Sequence, residues 1–171
     1  NGRTTNLSAM SLKNFRIVLV SPIYSGNVGS VCRAMKNMGF SHLVVAAPAG
    51  PWDFEEAHKM ALHAREIFDK RKEFPTLADA VADCGLVIGT TARIGLYRDH
   101  AQTPREFAPR LLAAAKKAKV ALVFGPEDNG LANEDLMPMP RPLDDPANEP
   151  EWRPLREEAR EKYEASLDDT L

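Results

Sequence analysis

The sequence predicts an α/β fold in which helices cover both faces of a parallel sheet. The first observation is an alternation, because apolar runs of strand length and stretches of helical periodicity follow one another four times. The second is that the runs are continuous and rich in Val, Ile and Leu, which is typical of strands buried on both faces. The third is a length of 171 residues with 44% apolar and 27% charged residues, enough for one globular domain with a core.

Four apolar runs predict the strands. The run Arg16–Pro22 is bounded by a Ser-Pro turn, and Val120–Phe124 runs directly into a Gly-Pro-acidic turn at residues 125–130. The other two predicted strands are His42–Ala46 and Gly85–Thr90. In open α/β sheets ligands bind beyond the carboxyl ends of the strands, so the turns that follow these strands are the first candidates for a site.

The helices are predicted from apolar residues at helical spacing. In Val28–Met38, the apolar stripe begins after Asn27, which is a good N-cap, and Gly39 follows as the C′ residue. Its stripe consists of Val28, Val31, Cys32, Met35 and Met38. The remaining predicted helices are Glu55–Lys70, Leu77–Ala82 and Arg105–Ala118, the last opened by Thr103-Pro104.

The segments outside this pattern differ in composition. Residues 1–14 are predicted to be an N-terminal tail, and residues 15–136 form the predicted domain. Residues 137–154 hold six of the thirteen prolines and indicate a linker, while 155–171 indicate a charged C-terminal helix. Residues 144–171 carry ten acidic and four basic side chains, so the rest of the chain is mildly basic, which is compatible with a nucleic acid partner.

The composition also bounds the class of protein. No apolar run approaches the roughly 20 residues that span a bilayer, and the first residues lack the pattern of a signal peptide. Cys32 and Cys84 have no partner spacing and are expected to be reduced, so we expect a cytoplasmic protein. His58 and His63 are five residues apart and do not share one helix face, so no metal site is expected.

Two loops are weak candidate sites when each is taken alone. Residues 25–29, Ser-Gly-Asn-Val-Gly, start a helix after a strand, where N–H groups and the helix dipole favour an anion such as phosphate. Small residues such as these equally serve close packing. Thr90-Thr91-Ala92-Arg93 lies at another strand end, where hydroxyls equally cap the next turn. With the Gly125–Gly130 turn, these loops follow separate parallel strands and are expected at one edge of the sheet.

These three loops resemble the motifs of a known family. Residues 26–40, Gly-Asn-Val-Gly through Gly-Phe, residues 89–93 with Thr-Pro-Arg-Glu at 103–106, and residues 122–136 are similar to motifs of the SpoU/TrmH-like branch of SPOUT RNA methyltransferases. The resemblance covers about Phe15 to Leu136. Within the branch, the second motif is most similar to tRNA 2′-O-methyltransferases of the TrmJ type, which modify the anticodon loop.

The resemblance implies a fold, a reaction and roles for particular residues. It implies a parallel-sheet SPOUT fold with a C-terminal trefoil knot, a homodimer, S-adenosyl-L-methionine as methyl donor, and a ribose 2′-OH of RNA, in tRNA or rRNA, as acceptor. By motif position, the residues that match the catalytic set are Asn27, Arg33 and Glu127. Those that match the cofactor loops, which grip largely through backbone atoms, are Thr90, Thr91, Ala92, Gly125, Gly130 and Leu131.

The role of Arg33 follows from its chemistry. A guanidinium is effectively never deprotonated in proteins, so Arg33 is a poor general base. We interpret it instead as an anchor for an RNA phosphate that also stabilises the alkoxide charge developing on the 2′ oxygen. Methyl transfer otherwise needs an oxygen nucleophile held in line at about 3 Å, because the donor carries its own leaving group.

The chain departs from the family pattern after Leu136. The resemblance implies a third motif there, an apolar strand with a Ser-Leu-Asn loop and a helix, which supplies the knot and much of the adenosine pocket. Here Leu136 is followed by Met137-Pro138-Met139-Pro140, which resembles the family's later linker. Either the motif is deleted, or residues between Leu136 and Met137 are missing from the sequence. We favour the second, because deleting a central core element should unfold the domain.

Three functions therefore stay open. The first is an RNA 2′-O-ribose methyltransferase that uses S-adenosyl-L-methionine. The second is a non-catalytic RNA-binding module that keeps the fold without the cofactor pocket, an alternative that the absent third motif supports. The third, a generic phosphate-binding α/β domain, rests on the Gly-Asn-Val-Gly run alone.

Overall fold

A parallel sheet forms the centre of the molecule. The computed structural model describes residues 12–90 and 103–132, and within these ranges five strands pair in the order β3-β2-β1-β5-β4. All of the strand pairs are parallel, and β1 lies between β2 and β5. The strands are β1 Phe15–Val20, β2 Leu43–Ala46, β3 Lys72–Phe74, β4 Leu86–Gly89 and β5 Val120–Phe124. The predicted α/β class with a parallel sheet is confirmed.

Helices cover the two faces of the sheet. One face, which includes Ile17 and Leu19 of β1, packs against the first three helices, and the other, which includes Val18 and Val20, packs against the fourth. The fifth helix packs near Phe15 and Val120 at the start of the central strands. The helices are α1 Ser25–Met38, α2 Phe54–Ala61, α3 Arg65–Asp69, α4 Leu77–Val81 and α5 Pro104–Ala115.

The four predicted strands are found where the apolar runs placed them. The sequence did not indicate β3, because Lys72-Glu73-Phe74 is short and its two charged residues are exposed. The predicted helix end at Gly39 is confirmed, since Gly39 adopts φ 83° and its N–H donates to the carbonyl of Lys36. The predicted N-cap of α5 is also confirmed, because Thr103 forms a capping box with Glu106.

Three details of the helices were predicted wrongly. Asn27 is not an N-cap, because α1 begins at Ser25 and its N-cap is Tyr24. The predicted helix Glu55–Lys70 is interrupted at Leu62, which adopts φ 52° and leads into a short 3₁₀ turn, Leu62–Ala64. This break lets Ala61 of α2 and Phe68 of α3 both be fully buried. Met38, predicted on the apolar stripe of α1, is exposed.

The described residues belong to one of two compact units of the chain. The boundaries of this unit, residues 1–92 and 102–141, enclose both described ranges. The expected knot, third motif, linker and C-terminal helix, and the junction of Leu136 with Met137, lie outside the described residues and stay predictions. Across residues 12–90 and 103–132, no helix is both long and apolar enough to cross a membrane.

Candidate active site at the carboxyl edge of the sheet

The ends of three neighbouring strands define the candidate site. Strand β5 pairs with β1 on one side and with β4 on the other, and adjacent strands lie about 4.8 Å apart. The segments that follow them, which begin at Ser21, Gly125 and Thr90, therefore leave the same edge of the sheet. The described parts of the three predicted loops thus lie next to one another.

The carboxylate of Glu127 connects two of these loops. Its Oε2 atom accepts a hydrogen bond from the N–H of Ile23 at 2.9 Å. Its Oε1 atom accepts from the side-chain amide of Asn27 at 3.0 Å and from the N–H of Tyr24 at 3.4 Å. Two of the three predicted catalytic residues, Asn27 and Glu127, are therefore in direct contact. We call this set of hydrogen bonds, made by Ile23, Tyr24, Asn27 and Glu127, the Glu127 clamp.

The Glu127 clamp favours the ionised carboxylate. Burial raises the pKa of Glu127, but the hydrogen bonds that it accepts lower the pKa by more, so that it lies below its ordinary value. The carboxylate also sits at the start of α1, where the helix dipole favours a negative charge. The anion expected at this helix start is thus, in the structure, a side chain of the chain itself. This arrangement makes Glu127 a weak proton acceptor and a strong positioning group.

The glycine and serine residues at the start of α1 have packing partners. A Cβ atom on Gly29 would lie 2.1 Å from the carbonyl oxygen of Ala57, so Gly29 allows α1 and α2 to approach closely. Ser25 is buried, and its hydroxyl accepts a hydrogen bond from the N–H of Asp53 at 3.0 Å. For Ser25 and Gly29, the structure supports the packing interpretation that the sequence had left open.

Arg33 lies farther along α1 than the Glu127 clamp. It follows Asn27 by six residues, which is about 9 Å along a helix axis. The residue is half-buried, and within the described residues its side chain makes no hydrogen bond or ion pair. The structure therefore does not bring Arg33 into contact with Asn27 or Glu127, although all three lie on or beside α1. Its role as a phosphate anchor stays a prediction.

The loop after β4 is described only at its first residue. The N–H and the hydroxyl of Thr90 both donate to the carbonyl oxygen of Val123, at 2.9 and 3.0 Å. Thr90 is thereby fixed against the end of β5, next to Gly125. The other two predicted cofactor residues of this loop, Thr91 and Ala92, lie outside the described residues.

The loop after β5 folds back tightly on its first residue. A Cβ atom on Gly125 would lie 2.2 Å from the carbonyl carbon of Gly130, so only glycine fits at position 125. Gly130 adopts φ 68°, and its N–H donates to the carbonyl of Pro126 at 2.8 Å. Leu131 is only 4% exposed and anchors the loop in the core. The predicted cofactor residues of this loop thus hold a defined backbone path at the carboxyl edge.

An apolar cavity of about 380 Å³ adjoins the Glu127 clamp. It lies between α1 and strands β1 and β5, and its walls include Val31 and Met38 of α1 and Phe124 of β5. Asn27, Gly125 and Glu127 also line it. Met38, on a stripe predicted to face the core, is exposed where it lines this cavity.

Sequence reasoning missed the contribution of Ile23 and Tyr24 to the site. Both residues act through their backbone N–H groups, so no residue type signals the interaction.

Among the residues that the structure describes, no group of three or more His, Cys, Asp or Glu side chains could hold a metal ion.

Fold and site together define an open-sheet α/β domain whose candidate ligand site lies beyond the carboxyl ends of three adjacent strands. The model of the SpoU rRNA Methylase family matches residues 14–143, and the chain belongs to this family.

Curated relatives with similar sequences are also methyltransferases by name. The chain is 39% identical over 137 residues to an uncharacterized tRNA/rRNA methyltransferase of Haemophilus influenzae, covering 80% of this chain and 55% of the relative. It is 41% identical over 123 residues to the tRNA (cytidine-2′-O-)-methyltransferase TrmJ of Methanocaldococcus jannaschii, covering 70% of this chain and 52% of that protein. The chain thus spans about half the length of these curated relatives.

A solved structure is similar in fold as well. The structure of a probable methylase family protein from Haemophilus influenzae superimposes with a TM-score of 0.68 at 36% sequence identity. The match covers 81% of this chain and 59% of that one.

Proposed function

We propose that the chain acts in the transfer of a methyl group from S-adenosyl-L-methionine to a ribose 2′-OH of RNA, with tRNA as the preferred substrate and rRNA as the other candidate. The observation that carries the proposal is the Glu127 clamp. It joins the Gly-Asn-Val-Gly motif to the Gly-Pro-Glu motif in one hydrogen-bonded unit at the carboxyl edge. The tRNA 2′-O-methyltransferase activity in the name of the Methanocaldococcus relative supports this choice of reaction.

The described loops fit the methyl donor in one respect that can be tested. Gly130 has a left-handed backbone, and within the described residues no atom beyond its chain neighbours lies within 4 Å of where its Cβ would be, so the backbone there is open to a ligand. Thr90, Gly125, Gly130 and Leu131 are the described residues that would hold the donor, largely through backbone atoms. The bound donor would supply an electrophilic methyl group attached to a sulfonium sulfur. After the transfer, the rest of the donor would leave as a neutral thioether.

The side chains of the chain would then act on the RNA. We assign to Asn27 and Glu127 the task of holding the start of α1 and the β5 loop in the geometry that positions the ribose. Arg33 would bind a phosphate and stabilise the charge that develops on the 2′ oxygen as its proton leaves. Because the Glu127 clamp keeps Glu127 ionised by lowering its pKa, the proton would pass to solvent rather than to a poised base.

We further propose that the protein works as a homodimer in the cytoplasm. The dimer is implied by the family resemblance, and the cytoplasmic location was expected from the unpaired cysteines Cys32 and Cys84. Light scattering of the purified chain at several concentrations tests the dimer, for which twice the mass of the 18.9 kDa chain is expected.

The first test of the reaction is binding of the demethylated product of the donor. Isothermal titration of the full chain with S-adenosylhomocysteine is expected to show one site per chain, and labelled S-adenosyl-L-methionine is expected to methylate unmodified tRNA. An Arg33→Lys variant should keep product binding but lose activity by about 10²-fold, because a single ammonium cannot replace the guanidinium fork. Near-full activity of the variant would contradict the assigned role of Arg33.

The alternative is a non-catalytic RNA-binding module. It is favoured because Met137 directly follows Leu136 in the sequence, at the position where the third family motif was expected. RNA binding by the full chain without binding of S-adenosylhomocysteine would support this alternative. If the chain is instead a methyltransferase, mass spectrometry of RNA from a knockout strain would identify the nucleotide whose methylation is lost.

A further inference from the structure

Tyr24 is an exposed aromatic residue at the candidate site. It is 59% exposed and stands at the N-cap of α1, three residues before Asn27. The N–H of Tyr24 and the side-chain amide of Asn27 bond the same oxygen of Glu127, so the two residues lie next to each other. Ile23 before it and Phe124 at the end of β5 are also exposed, so large apolar side chains border the Glu127 clamp.

Packing inside the protein does not account for the Tyr24 ring. Among the residues that the structure describes, the other aromatic with more than half of its surface exposed is Phe54 at 52%, and its ring packs against Phe68 at a centroid distance of 5.6 Å. Tyr24 makes no ring contact and no side-chain hydrogen bond within the described residues. Exposed apolar groups that gather at one place mark a surface for a partner.

The backbone below the ring is held firmly. The N–H of Tyr24 donates to Glu127, and its carbonyl oxygen accepts from the N–H groups of Asn27 at 3.1 Å and Val28 at 3.3 Å. The backbone that carries the Tyr24 side chain is therefore fixed before any partner binds. A tyrosine on a fixed backbone has only its side-chain torsions left to order on binding, which makes Tyr24 a suitable stacking platform.

We propose that Tyr24 stacks on an unpaired base of the RNA at or next to the nucleotide whose ribose enters the site. The inference rests on the proposed function, since the ribose must bind beside Asn27 for the base to reach Tyr24. Proteins recognise single-stranded RNA largely by stacking unpaired bases on aromatic side chains. Stacking tolerates any base because each has a flat π-face, so Tyr24 would select for an unpaired nucleotide rather than for a sequence.

The experiment compares Tyr24→Ala and Tyr24→Phe in the full chain. Tyr24→Ala should weaken binding of unmodified tRNA by about 5- to 100-fold and raise the KM for tRNA with kcat nearly unchanged, because stacking is lost in both ground and transition states. Tyr24→Phe keeps the ring and should behave like the unmodified chain. Binding of S-adenosylhomocysteine should be the same in all three proteins.

Phe54→Ala is the matched control. It removes a ring of similar exposure that already has partners in the protein, so it should leave the KM for tRNA unchanged even if it lowers Tm. Wild-type tRNA affinity in Tyr24→Ala would overturn the proposal. So would a change of mass in light scattering with unchanged tRNA affinity, because the ring would then serve a protein interface. Absence of tRNA binding by the unmodified chain would instead overturn the proposed function itself.

Discussion

At the scale of single residues, the state of Glu127 decides which chemical role it can have. A general base works best when its pKa lies near the working pH, whereas the hydrogen bonds to Glu127 lower its pKa below the ordinary value. Of its roughly four lone-pair sites, three already accept hydrogen bonds, from two backbone N–H groups and from Asn27. We therefore propose that Glu127 is a positioning residue, which acts through the backbone of Ile23 and Tyr24.

A Glu127→Gln variant separates positioning from proton transfer. An amide offers only one acceptor oxygen, so at least one donor of the Glu127 clamp loses its partner, at a cost of about 1 kcal/mol for a partly exposed site. We expect methyl transfer to fall about 10²-fold while the pH–rate profile keeps its shape, because no titrating base is removed. Rates measured from pH 5 to pH 9 check both expectations.

Asp128→Asn provides the control for this variant. Asp128 is the next residue, is exposed, and makes no hydrogen bond or ion pair within the described residues. The Asp128→Asn variant removes the same charge without changing the Glu127 clamp and should keep nearly full activity. Loss of an acidic limb from the pH profile in Glu127→Gln alone would show that Glu127 acts as a base after all.

At the scale of elements, the crossing of α1 and α2 depends on a missing side chain. The backbone of α2 comes so close that a Cβ on Gly29 would meet the carbonyl oxygen of Ala57 at 2.1 Å. Real Cβ atoms do not approach backbone atoms so closely, and neither helix can yield without moving the buried Val28 and Cys32. The position of α1, and with it Asn27, is thus set by a packing contact.

Gly29→Ala should accordingly destabilise the domain. We expect a loss of about 3 kcal/mol in the free energy of unfolding, at the upper end of the usual cost of overpacking, because the obstacle is backbone. Gly50→Ala is the matched control, since no atom lies within 4 Å of its Cβ position, and it should change stability by less than about 0.5 kcal/mol. Urea unfolding at neutral pH measures both, and equal midpoints would contradict the packing argument.

The elements also show how far the sequence reaches. Continuous apolar runs predicted β1, β2, β4 and β5 because burial on both faces leaves that pattern in the residues themselves. The start of α1 was misplaced because the Asn27 amide bonds to Glu127, 100 positions away in the chain, instead of capping its own helix. The left-handed Leu62 was missed for a similar reason, since the burial of Phe68 against α1 and not local propensity stabilises the break.

The candidate site likewise includes residues that could be predicted from the sequence and residues that could not. The resemblance identified Asn27 and Glu127, and the structure brings their side chains together. Ile23 and Tyr24 could not be found by residue type, because they act through N–H groups that every residue except proline has. The cavity beside Ile23 and Tyr24 could not be predicted from the sequence either. An apolar stripe such as Val31 and Met38 predicts burial whether or not another part of the protein covers it.

At the scale of the whole molecule, the edge of the sheet opposite the site is held by charges. Asp83, just before β4, accepts hydrogen bonds from Arg16 of β1 at 2.7 and 3.2 Å and from Lys119, just before β5, at 2.5 Å. Arg16 also donates to the carbonyl oxygen of Ala80. One carboxylate thereby ties together the same three strands whose other ends carry the candidate site.

This arrangement makes stability depend on pH in a defined direction. The Arg16 guanidinium, followed by the Lys119 ammonium, holds the pKa of Asp83 well below its usual range. In the unfolded chain the carboxyl titrates near pH 4, so its contribution is fully present above about pH 4 and is lost as pH falls toward the folded-state pKa. In that window the unfolded chain binds more protons, and acid therefore favours unfolding.

Asp83→Asn should remove this contribution and the pH dependence that comes with it. Because Asp83 is half-exposed and solvent screens its charge, we expect a loss of only about 1 kcal/mol in the free energy of unfolding at pH 7. The difference between wild type and variant should shrink between pH 4 and pH 2, because there the carboxyl of the unfolded wild-type chain takes up a proton. Lys119→Gln should cost less, since Arg16, whose side chain is only 13% exposed, keeps its bonds to Asp83. Urea unfolding at pH 7, 5, 4, 3 and 2 measures these differences, and a constant difference between wild type and Asp83→Asn down to pH 2 would show that shape and not charge holds this edge together.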